Sequence, residues 1–432
     1  AVYSASPMDP AGRPMTSAPF LQLIRPDMVA ENINSFIKRS QENGKMSDAY
    51  IQGKEYLAGQ GGNDVTNIIA DAYLKGIEGV DWEAAYEAVK ADAENYRSRQ
   101  YLETGWHYSG TTANNGDSYS SRLKSASATV AFAYNDYSVA MMAKGLGHEE
   151  DYQKYIERSK NWLNLWDGEL TSSDGYTGFI HKRNSDGTFP VVDPSQFKGY
   201  DGTESLWQGY NDDYYEAGIW EGTYSPTFDL PTLVELMGGQ YAFADRLEYA
   251  LSQGYMNFAN EPSFQTIWLF CADEVKRPDY TSYWVNEYLK RYTDTGYPGD
   301  EDNGAMSTMY LFMMSGFFPM SGTNNYYLHG TRLPEITYHL GTGNDFVIRG
   351  VNAGGDNIYV QSATWNGEPY NVSKLTWEQI SEGGELVFVM GSEPSKWGQT
   401  EDAEAPGNVS NLQLSTDKLA DGLLTLTWDA AS

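Results

Sequence analysis

Cysteine and histidine are scarce in this chain of 432 residues. Its single cysteine, Cys271, excludes an internal disulfide and a cysteine-based zinc site, and the apolar setting IWLFCADEV predicts a small buried side chain rather than a nucleophile. The five histidines are scattered, and the sequence has no HExxH, no G-x-S-x-G and no glycine-rich phosphate loop. A histidine metal cluster and these nucleophile or nucleotide motifs are therefore excluded as the basis of function.

Basic residues are also few. Lys and Arg total 29 against 59 Asp and Glu, which gives a formal net charge of −30. Nucleic acid and anionic membrane surfaces are therefore poor partners on electrostatic grounds. No run of about 18 apolar residues occurs, so no membrane insertion is expected. The charge balance favours neutral ligands or cations.

Aromatic residues, in contrast, are abundant, with 33 Tyr, 16 Phe and 12 Trp. Rings of this kind either fill the core of a large protein or form surfaces that stack on sugar rings. A hydrophobic fraction of 41% is enough for a sizeable core. We assign most of the rings to the core and leave the second role open for the rest.

Helical periodicity dominates residues 1–325. The segment RPDMVAENINSFIKRSQEN places Met28, Ile33, Phe36 and Ile37 on one face, and EDYQKYIERSKNWLNLWD repeats the pattern. The methionines that follow GDEDNG, among them Met306, recur at helical spacing and are expected in the core. No alternation of strands and helices appears, so the sequence predicts a mainly α fold, a helical toroid or large bundle.

From residue 326 to 398 the period changes to two. The segments NDFVIRGV, DNIYVQSATWNGEPY and GGELVFVMG alternate like strands, and Asn366-Gly367 is a type I′ hairpin signal. This segment predicts a small antiparallel β domain. Residues 399–408 are acidic, contain proline and glycine, and predict a linker. Residues 409–432 resemble the opening strands of a fibronectin type III module, so we expect the chain to be a piece of a longer protein.

Carboxylates are the remaining candidates for catalytic or ligand-binding residues. Three loops concentrate them beside aromatic rings: YNDDYYEAGIWEGTYSP with Glu216 and Glu221, FANEPSFQ with Glu261, and GDEDNG with Asp300 and Asp302. Hydrolysis of a glycosidic bond needs one carboxyl as acid, another as base, and aromatic walls around the sugar. Two other interpretations stay open. The carboxylates could be ordinary solvated loop residues, and GDEDNG could be a calcium loop, although it lacks the Glu of an EF-hand's twelfth position.

The order of several sequence blocks resembles glycoside hydrolase family 92. These blocks are YYEAGIWEGTYSP, NEPS, YPGDEDNGAMSTMYLFMMSGFFPM and YYLHGTRLPEITYHLGTGNDFVIRG, preceded by LQLIRPD, ADAYLKG and AYNDYSVAMMAKGLG. The resemblance covers about residues 19 to 398. It implies a calcium-dependent, inverting exo-α-mannosidase with an (α/α)6 barrel, late strands, and an N-terminal β-sandwich that this chain does not contain.

The resemblance also implies residue roles. Glu216 matches the general acid, Asp302 the general base, and Asp300 a close partner of the base or the alternative base. Ca²⁺ is expected near the vicinal hydroxyls of the sugar, with Asn260 and Glu261 as candidate ligands. Trp220, Glu221 and Asn260 are candidate substrate contacts. An inverting pair is expected to hold its carboxyl groups about 6.5 to 9.5 Å apart.

The sequence departs from the family pattern at several positions. Gly12 stands about where a WDTYR-like motif has its sugar-binding Asp, and Gly218 replaces the asparagine of EGNAW. No His-Glu pair, a feature of members specific for α-1,2 links, occurs between Gly239 and Glu261. The sequence is therefore compatible with two functions. One is an extracellular, exo-acting α-mannosidase, and the other is a catalytically silent relative that binds mannosides or scaffolds a larger protein.

Overall fold

The computed structural model describes residues 17–46, 49–51, 54–56, 63–95, 97–109, 124–196, 213–299, 301, 304–399, 413–415 and 425–427. Backbone contacts divide the chain into a unit of residues 1–398 and a unit of residues 399–432. In the second unit, β13 (Gln413–Ser415) pairs antiparallel with β14 (Thr425–Thr427). The larger unit contains the helices and the remaining strands.

Helices make up most of the described part of the larger unit up to residue 315. They are α1 (Ser17–Ile24), α2 (Pro26–Asn43), α3 (Asp64–Leu74), α4 (Trp82–Asn95), α5 (Arg99–Thr104), α6 (Ser125–Leu146), α7 (Glu149–Arg158), α8 (Ile219–Thr223), α9 (Leu230–Leu236), α10 (Gln240–Ser252), α11 (Pro278–Leu289), α12 (Ala305–Ser315) and, later in the chain, α13 (Trp377–Ser381). Short 3-10 helices at Ser159–Leu165, Glu261–Ser263 and Thr266–Cys271 extend or connect them.

Local sequence explains where α2 begins and ends. Pro26 occupies its first turn, where a missing N–H costs nothing, and Gly44 ends it in the left-handed conformation with φ 72°. The predicted apolar face is buried, because Ile33, Phe36 and Ile37 are at most 7% exposed. The helix α2 therefore has the amphipathic pattern of an outer element packed on a core.

The helices α6 and α12 are of a different kind. Buried residues occur all around α6, and α12 contains no charged side chain. The predicted core methionines Met306, Met309 and Met313 of α12 are at most 2% exposed, whereas Ser307 and Tyr310 of the same helix are exposed. The methionine face of α12 therefore packs in the core, as predicted. The architecture is a helical barrel followed by a small β domain, as predicted.

The strands of the larger unit are mostly short. They are β1 (Ala49–Ile51), β2 (Lys54–Tyr56), β3 (Trp166–Thr171), β4 (Thr177–Ile180), β5 (Phe317–Pro319), β6 (Asn325–Leu328), β7 (Glu335–His339), β8 (Asp345–Val351), β9 (Tyr359–Trp365), β10 (Glu368–Pro369), β11 (Lys374–Thr376) and β12 (Gly384–Gly391). The β segment begins at Phe317 rather than at residue 326. The apolar run of α12 continues into β5, and periodicity alone does not separate a buried helix from a buried strand.

Five strands form the largest sheet, in the order β10-β9-β12-β8-β7. Its pairs are antiparallel except for β12 and β8, which run parallel. Asn366 and Gly367 connect β9 to β10, and both have positive φ, 51° and 86°. These angles are those of a type I′ turn, so the hairpin signal in the sequence is confirmed.

The described helices include none that is both long and apolar enough to cross a lipid bilayer.

Candidate functional site

The loop before α8 turns sharply at Glu216. This residue has a positive φ of 50°, in the left-handed region that non-glycine residues rarely enter. Such a conformation costs about 1 to 3 kcal/mol and persists only where the surroundings hold it. The side chain of Glu216 is partly exposed. The fold therefore holds Glu216 in this conformation at a cost in free energy.

The first turn of α6 holds the loop in place. The main-chain carbonyl of Asp213 accepts the N–H groups of Ala126 at 2.8 Å and Ser127 at 3.2 Å. The Ser127 hydroxyl accepts the N–H of Tyr215 at 2.8 Å, and the Asp213 carboxylate accepts the Ser125 hydroxyl. These contacts satisfy helix-end N–H groups and fix the backbone directly before Glu216.

Asn260 reaches the Glu216 carboxyl from a second segment. Its side-chain amide donates to Glu216 Oε2 at 3.1 Å and lies 3.4 Å from the Glu216 carbonyl oxygen. Asn260 itself is 8% exposed and precedes the 3-10 helix Glu261–Ser263. One Glu216 oxygen is thus oriented by an amide, and the structure brings these two predicted site residues together.

Glu221 lies five positions further on in an entirely different setting. Oxygen Oε2 accepts the Gly218 N–H at 2.8 Å, and Oε1 accepts the Asn257 N–H and the Ser263 hydroxyl, both at 3.0 Å. The residue is 2% exposed. Its carboxylate caps α8 and ties the loop to residues 257–263. Its oxygens accept hydrogen bonds from two main-chain N–H groups and the Ser263 hydroxyl, and the expected substrate contact of Glu221 stays a prediction.

Trp220 is likewise a core residue. It is fully buried, and its ring stacks on Tyr255 with centroids 4.6 Å apart and an angle of 8°. The guanidinium of Arg246 lies 5.3 Å from the Trp220 ring centroid, and the indole N–H donates to the Pro194 carbonyl at 3.2 Å. The structure thus places the ring in the core, and the expected role of Trp220 in substrate binding stays a prediction.

The predicted base Asp302 and its partner Asp300 lie outside the described residues, but the residues flanking them are described. Gly299 packs so closely on Ala259 that a Cβ added to it would lie 1.9 Å from the Ala259 carbonyl oxygen. Ala259 directly precedes Asn260, which contacts Glu216. The start of the GDEDNG loop therefore lies beside the segment that holds Glu216.

The far side of the same loop is fixed by Glu301. Its carboxylate accepts the Gly304 N–H at 2.7 Å and the Ser307 hydroxyl at 2.6 Å, at the start of α12. These hydrogen bonds hold the pKa of Glu301 below its usual value, against a raising effect of burial. Glu301 is thus a helix-capping residue. The expected separation of the Glu216 and Asp302 carboxyl groups stays a prediction.

Asn260 and Glu261 were predicted as metal ligands. Both are nearly buried, with Glu261 at 6% exposure. Their side chains offer the oxygen donors that Ca²⁺ prefers. Within the described ranges, no three His, Cys, Asp or Glu side chains cluster closely enough to hold a metal ion. The donor chemistry of these two residues fits a hard cation, whose other ligands would be main-chain oxygens, waters or residues outside the described ranges.

Sequence reasoning missed two supports of the site, Asp213 and Gly299. Asp213 is one of several acidic residues in NDDYYE, and Gly299 is one of 43 glycines. A carboxylate run and a glycine in a loop have many ordinary explanations. Only the fold shows that one anchors the Glu216 loop on α6 and the other allows two loops to touch.

Comparison with known proteins identifies the family of this chain. The model of the glycosyl hydrolase family 92 catalytic domain matches residues 15–392. An uncharacterized secreted glycosidase of Arthroderma benhamiae is 34% identical over 367 residues, which cover 78% of this chain and 46% of that protein.

Solved structures agree on the fold. The family GH92 α-mannosidase BT3965 from Bacteroides thetaiotaomicron is 25% identical, with a TM-score of 0.76, and the match covers 93% of this chain and 52% of that one. The family GH92 inverting mannosidase BT2199 from the same bacterium is 23% identical, with a TM-score of 0.73, over 90% of this chain and 54% of that one. The chain spans about half the length of these relatives. It belongs to glycosyl hydrolase family 92.

Proposed function

We propose that this chain is the catalytic part of an exo-acting, inverting α-mannosidase that hydrolyses terminal α-mannosides with the assistance of Ca²⁺. Family membership supports glycoside hydrolysis, and the mannosidases among the related structures support mannose as the sugar removed. The observation that carries the proposal is Glu216, a partly exposed carboxyl group that is held in a strained conformation and oriented by the Asn260 amide.

Glu216 would act as the general acid. The departing oxygen of a glycoside needs a proton as the bond breaks, and a carboxyl group positioned at that oxygen supplies it. The Asn260 amide donates to Oε2 and would orient the carboxyl group toward the departing oxygen. The anchored Asp213–Tyr215 backbone fixes the distance of this group from the bond that breaks. Positional precision of this kind is where much of enzymatic rate enhancement originates.

Asp302 would act as the general base, with Asp300 as its partner or as the alternative base. The base removes a proton from the water that attacks the anomeric carbon on the face opposite the leaving group. Crowded carboxylates raise the proton affinity of at least one of them, which suits a base. The Gly299 contact with Ala259 supports the placement of this loop opposite Glu216.

Asn260 and Glu261 would contribute oxygen ligands to Ca²⁺. When bound, the cation would offset the repulsion between the carboxylates and engage the vicinal hydroxyls of the sugar. The residues of this chain would do the rest, since Glu216 holds the proton and Asp302 activates the water.

The substrate would be a neutral mannose-containing glycan outside the cell. A net charge of −30 disfavours anionic partners such as nucleic acid. The similar Arthroderma protein is a secreted glycosidase, which supports an extracellular location.

Mannose release from α-linked mannobioses by the full-length protein tests the proposal. We expect the first-formed sugar to be β-mannose, detected by proton NMR before mutarotation, and we expect EDTA to reduce the rate until Ca²⁺ is restored. Release of α-mannose would contradict inversion. No release from any linkage would favour the alternative, a catalytically silent relative that binds mannosides. Gly12, which stands where the family motif has its sugar-binding Asp, also favours that alternative.

A further inference from the structure

Three tyrosines form a small exposed surface next to the GDEDNG loop. We call Tyr292, Tyr297 and Tyr310 the tyrosine platform. Tyr297 is 46% exposed and Tyr310 39% exposed, whereas Tyr292 lies partly buried between them. The Tyr292 centroid is 6.1 Å from that of Tyr297, at 87°, and 5.0 Å from that of Tyr310, at 48°. The three rings therefore form one contiguous aromatic surface.

Hydrogen bonds fix the rings of the platform. The Tyr297 hydroxyl lies 3.0 Å from the Ser307 hydroxyl, which donates to Glu301 at 2.6 Å. The Tyr292 hydroxyl donates to the Met306 carbonyl at 3.2 Å. A ring that is already held in place loses little conformational freedom when a ligand binds. The platform is thus preorganised, and Glu301 links it to the loop of the candidate base.

Single exposed apolar residues are common and need no explanation. Here two exposed rings both contact a third ring, and Tyr310 belongs to α12, whose sequence AMSTMYLFMMS has no charged residue. Tyrosine combines an apolar face with a hydroxyl, which suits a ligand that has an apolar face and a polar edge. A pyranose ring has both, and it is neutral, as the strongly acidic chain favours.

We propose that the tyrosine platform binds a sugar residue of the glycan on the leaving-group side of the bond that is cleaved. The proposal rests on the exo-acting hydrolase proposed above. An exo-acting site closes around the terminal sugar, so every other sugar of the substrate extends over surfaces next to the site. Tyr297 is connected through Ser307 to Glu301 of the GDEDNG loop, and Gly299 of that loop packs on Ala259 beside Asn260. We infer from these contacts that the platform lies next to the Glu216 site.

Binding of α-linked mannotriose to the full-length protein tests the platform. Turnover is blocked by Glu216→Gln, and affinity is measured by calorimetry. We expect Tyr297→Ala and Tyr310→Ala each to weaken binding about three- to tenfold, as expected for the loss of an aromatic contact. Tyr297→Phe, which keeps the ring, is expected to change affinity less than about twofold, since stacking and not the hydroxyl provides the contact.

Tyr283→Ala is the matched control. Tyr283 is as exposed as Tyr310, at 39%, but contacts Trp284 of α11 and none of the platform rings. Equal affinities for both alanine variants and this control would overturn the proposal. A fall in melting temperature without a change in affinity would also overturn it, because the rings would then be covered by another part of the protein.

A kinetic measurement separates this proposal from the proposed function. In the active protein, the platform variants should raise KM for mannotriose and leave hydrolysis of methyl α-mannoside unchanged. Loss of platform-dependent binding with hydrolysis intact overturns the platform alone. Platform-dependent binding without any hydrolysis overturns the proposed function and supports the platform.

Discussion

Glu216 and Glu221 belong to two adjacent regions with opposite characters. Glu216 ends an anchored loop, is partly exposed and has a left-handed backbone, and an amide engages one of its oxygens. Glu221 lies in the first turn of α8, is 2% exposed, and accepts hydrogen bonds from Gly218, Asn257 and Ser263. The first carboxyl group is partly exposed, whereas the second is buried among the groups that donate to it.

This difference separates a chemical role from a structural one. A carboxylate whose oxygens are all engaged by the backbone stabilises the fold, and removing it leaves buried donors unsatisfied. A carboxyl group that is positioned at a cost in strain, with room for a partner, is typical of a functional site. Substitutions in the two classes should therefore change different measured quantities.

The largest loss of activity is expected on substitution of Asp302, which should behave like Glu216 and unlike Glu221. Asp302→Asn removes the proposed base, which every substrate would need, so kcat should fall about 10²- to 10⁴-fold for all leaving groups. The melting temperature should hardly change. Glu301→Gln is the control, because Glu301 caps α12 and should alter the rate little. Comparable rate losses in both variants would remove Asp302 from the base's role.

A large stability effect is expected at Glu221. Glu221→Gln replaces one acceptor oxygen by an NH₂ group that faces buried donors, so the free energy of unfolding should fall by about 2 kcal/mol or more. Chemical denaturation measures it. Glu216→Gln, at a partly exposed position, should shift it by less than about 0.5 kcal/mol. Equal destabilisation by the two variants would break the distinction between the two regions.

The contact between loops should be sensitive to one methyl group. Gly299→Ala would force the GDEDNG loop away from Ala259, so we expect kcat to fall about tenfold or more through misplacement of the base. Gly296→Ala is the matched control, since no atom lies within 4 Å of the Cβ that it would add. Full activity in the Gly299 variant would show that the contact does not position the site.

Asp92 provides a third kind of carboxylate, whose effect on stability depends on pH. It is buried and accepts hydrogen bonds from the Met46 N–H and the Asn63 amide, yet burial raises its pKa to about 7. Between about pH 4 and 7 the folded state holds a proton that the unfolded state has lost. Stability should therefore fall as pH rises, by up to about 1.4 kcal/mol per unit, and level off above pH 7.

Asp92→Asn tests this dependence, because an amide does not titrate. Unfolding followed by denaturant from pH 4 to 8 should show a flatter profile for the variant than for the parent protein. An unchanged slope would mean that Asp92 is ionised throughout, and that its two donors and the nearby Arg97 charge outweigh burial.

Much of the fold could be predicted from local pattern. The helices of the barrel follow apolar periodicity, and the β9–β10 hairpin follows from Asn366-Gly367, whose conformational preference is a property of two residues. The start of β5 at Phe317 could not be predicted, since a continuous apolar run is compatible with buried helix and buried strand alike. Such boundaries depend on tertiary contacts.

The candidate site was only partly predictable, for a related reason. Motif order identified Glu216 and Asn260, which the structure brings within 3.1 Å. It could not separate them from Trp220 and Glu221, which lie within the same motif but face the core. The direction of a side chain in an irregular loop depends on distant partners such as Ser127 and Ser263. Sequence spacing does not encode these partners.

The turnover of Glu216→Gln on two leaving groups tests the central claim most directly. The claim is that Glu216 supplies the proton to the departing oxygen. An α-mannobiose should lose about 10²- to 10⁴-fold in kcat, because its leaving sugar needs that proton. An activated aryl mannoside should lose far less. Equal losses on both substrates, or no loss on either, would contradict the claim.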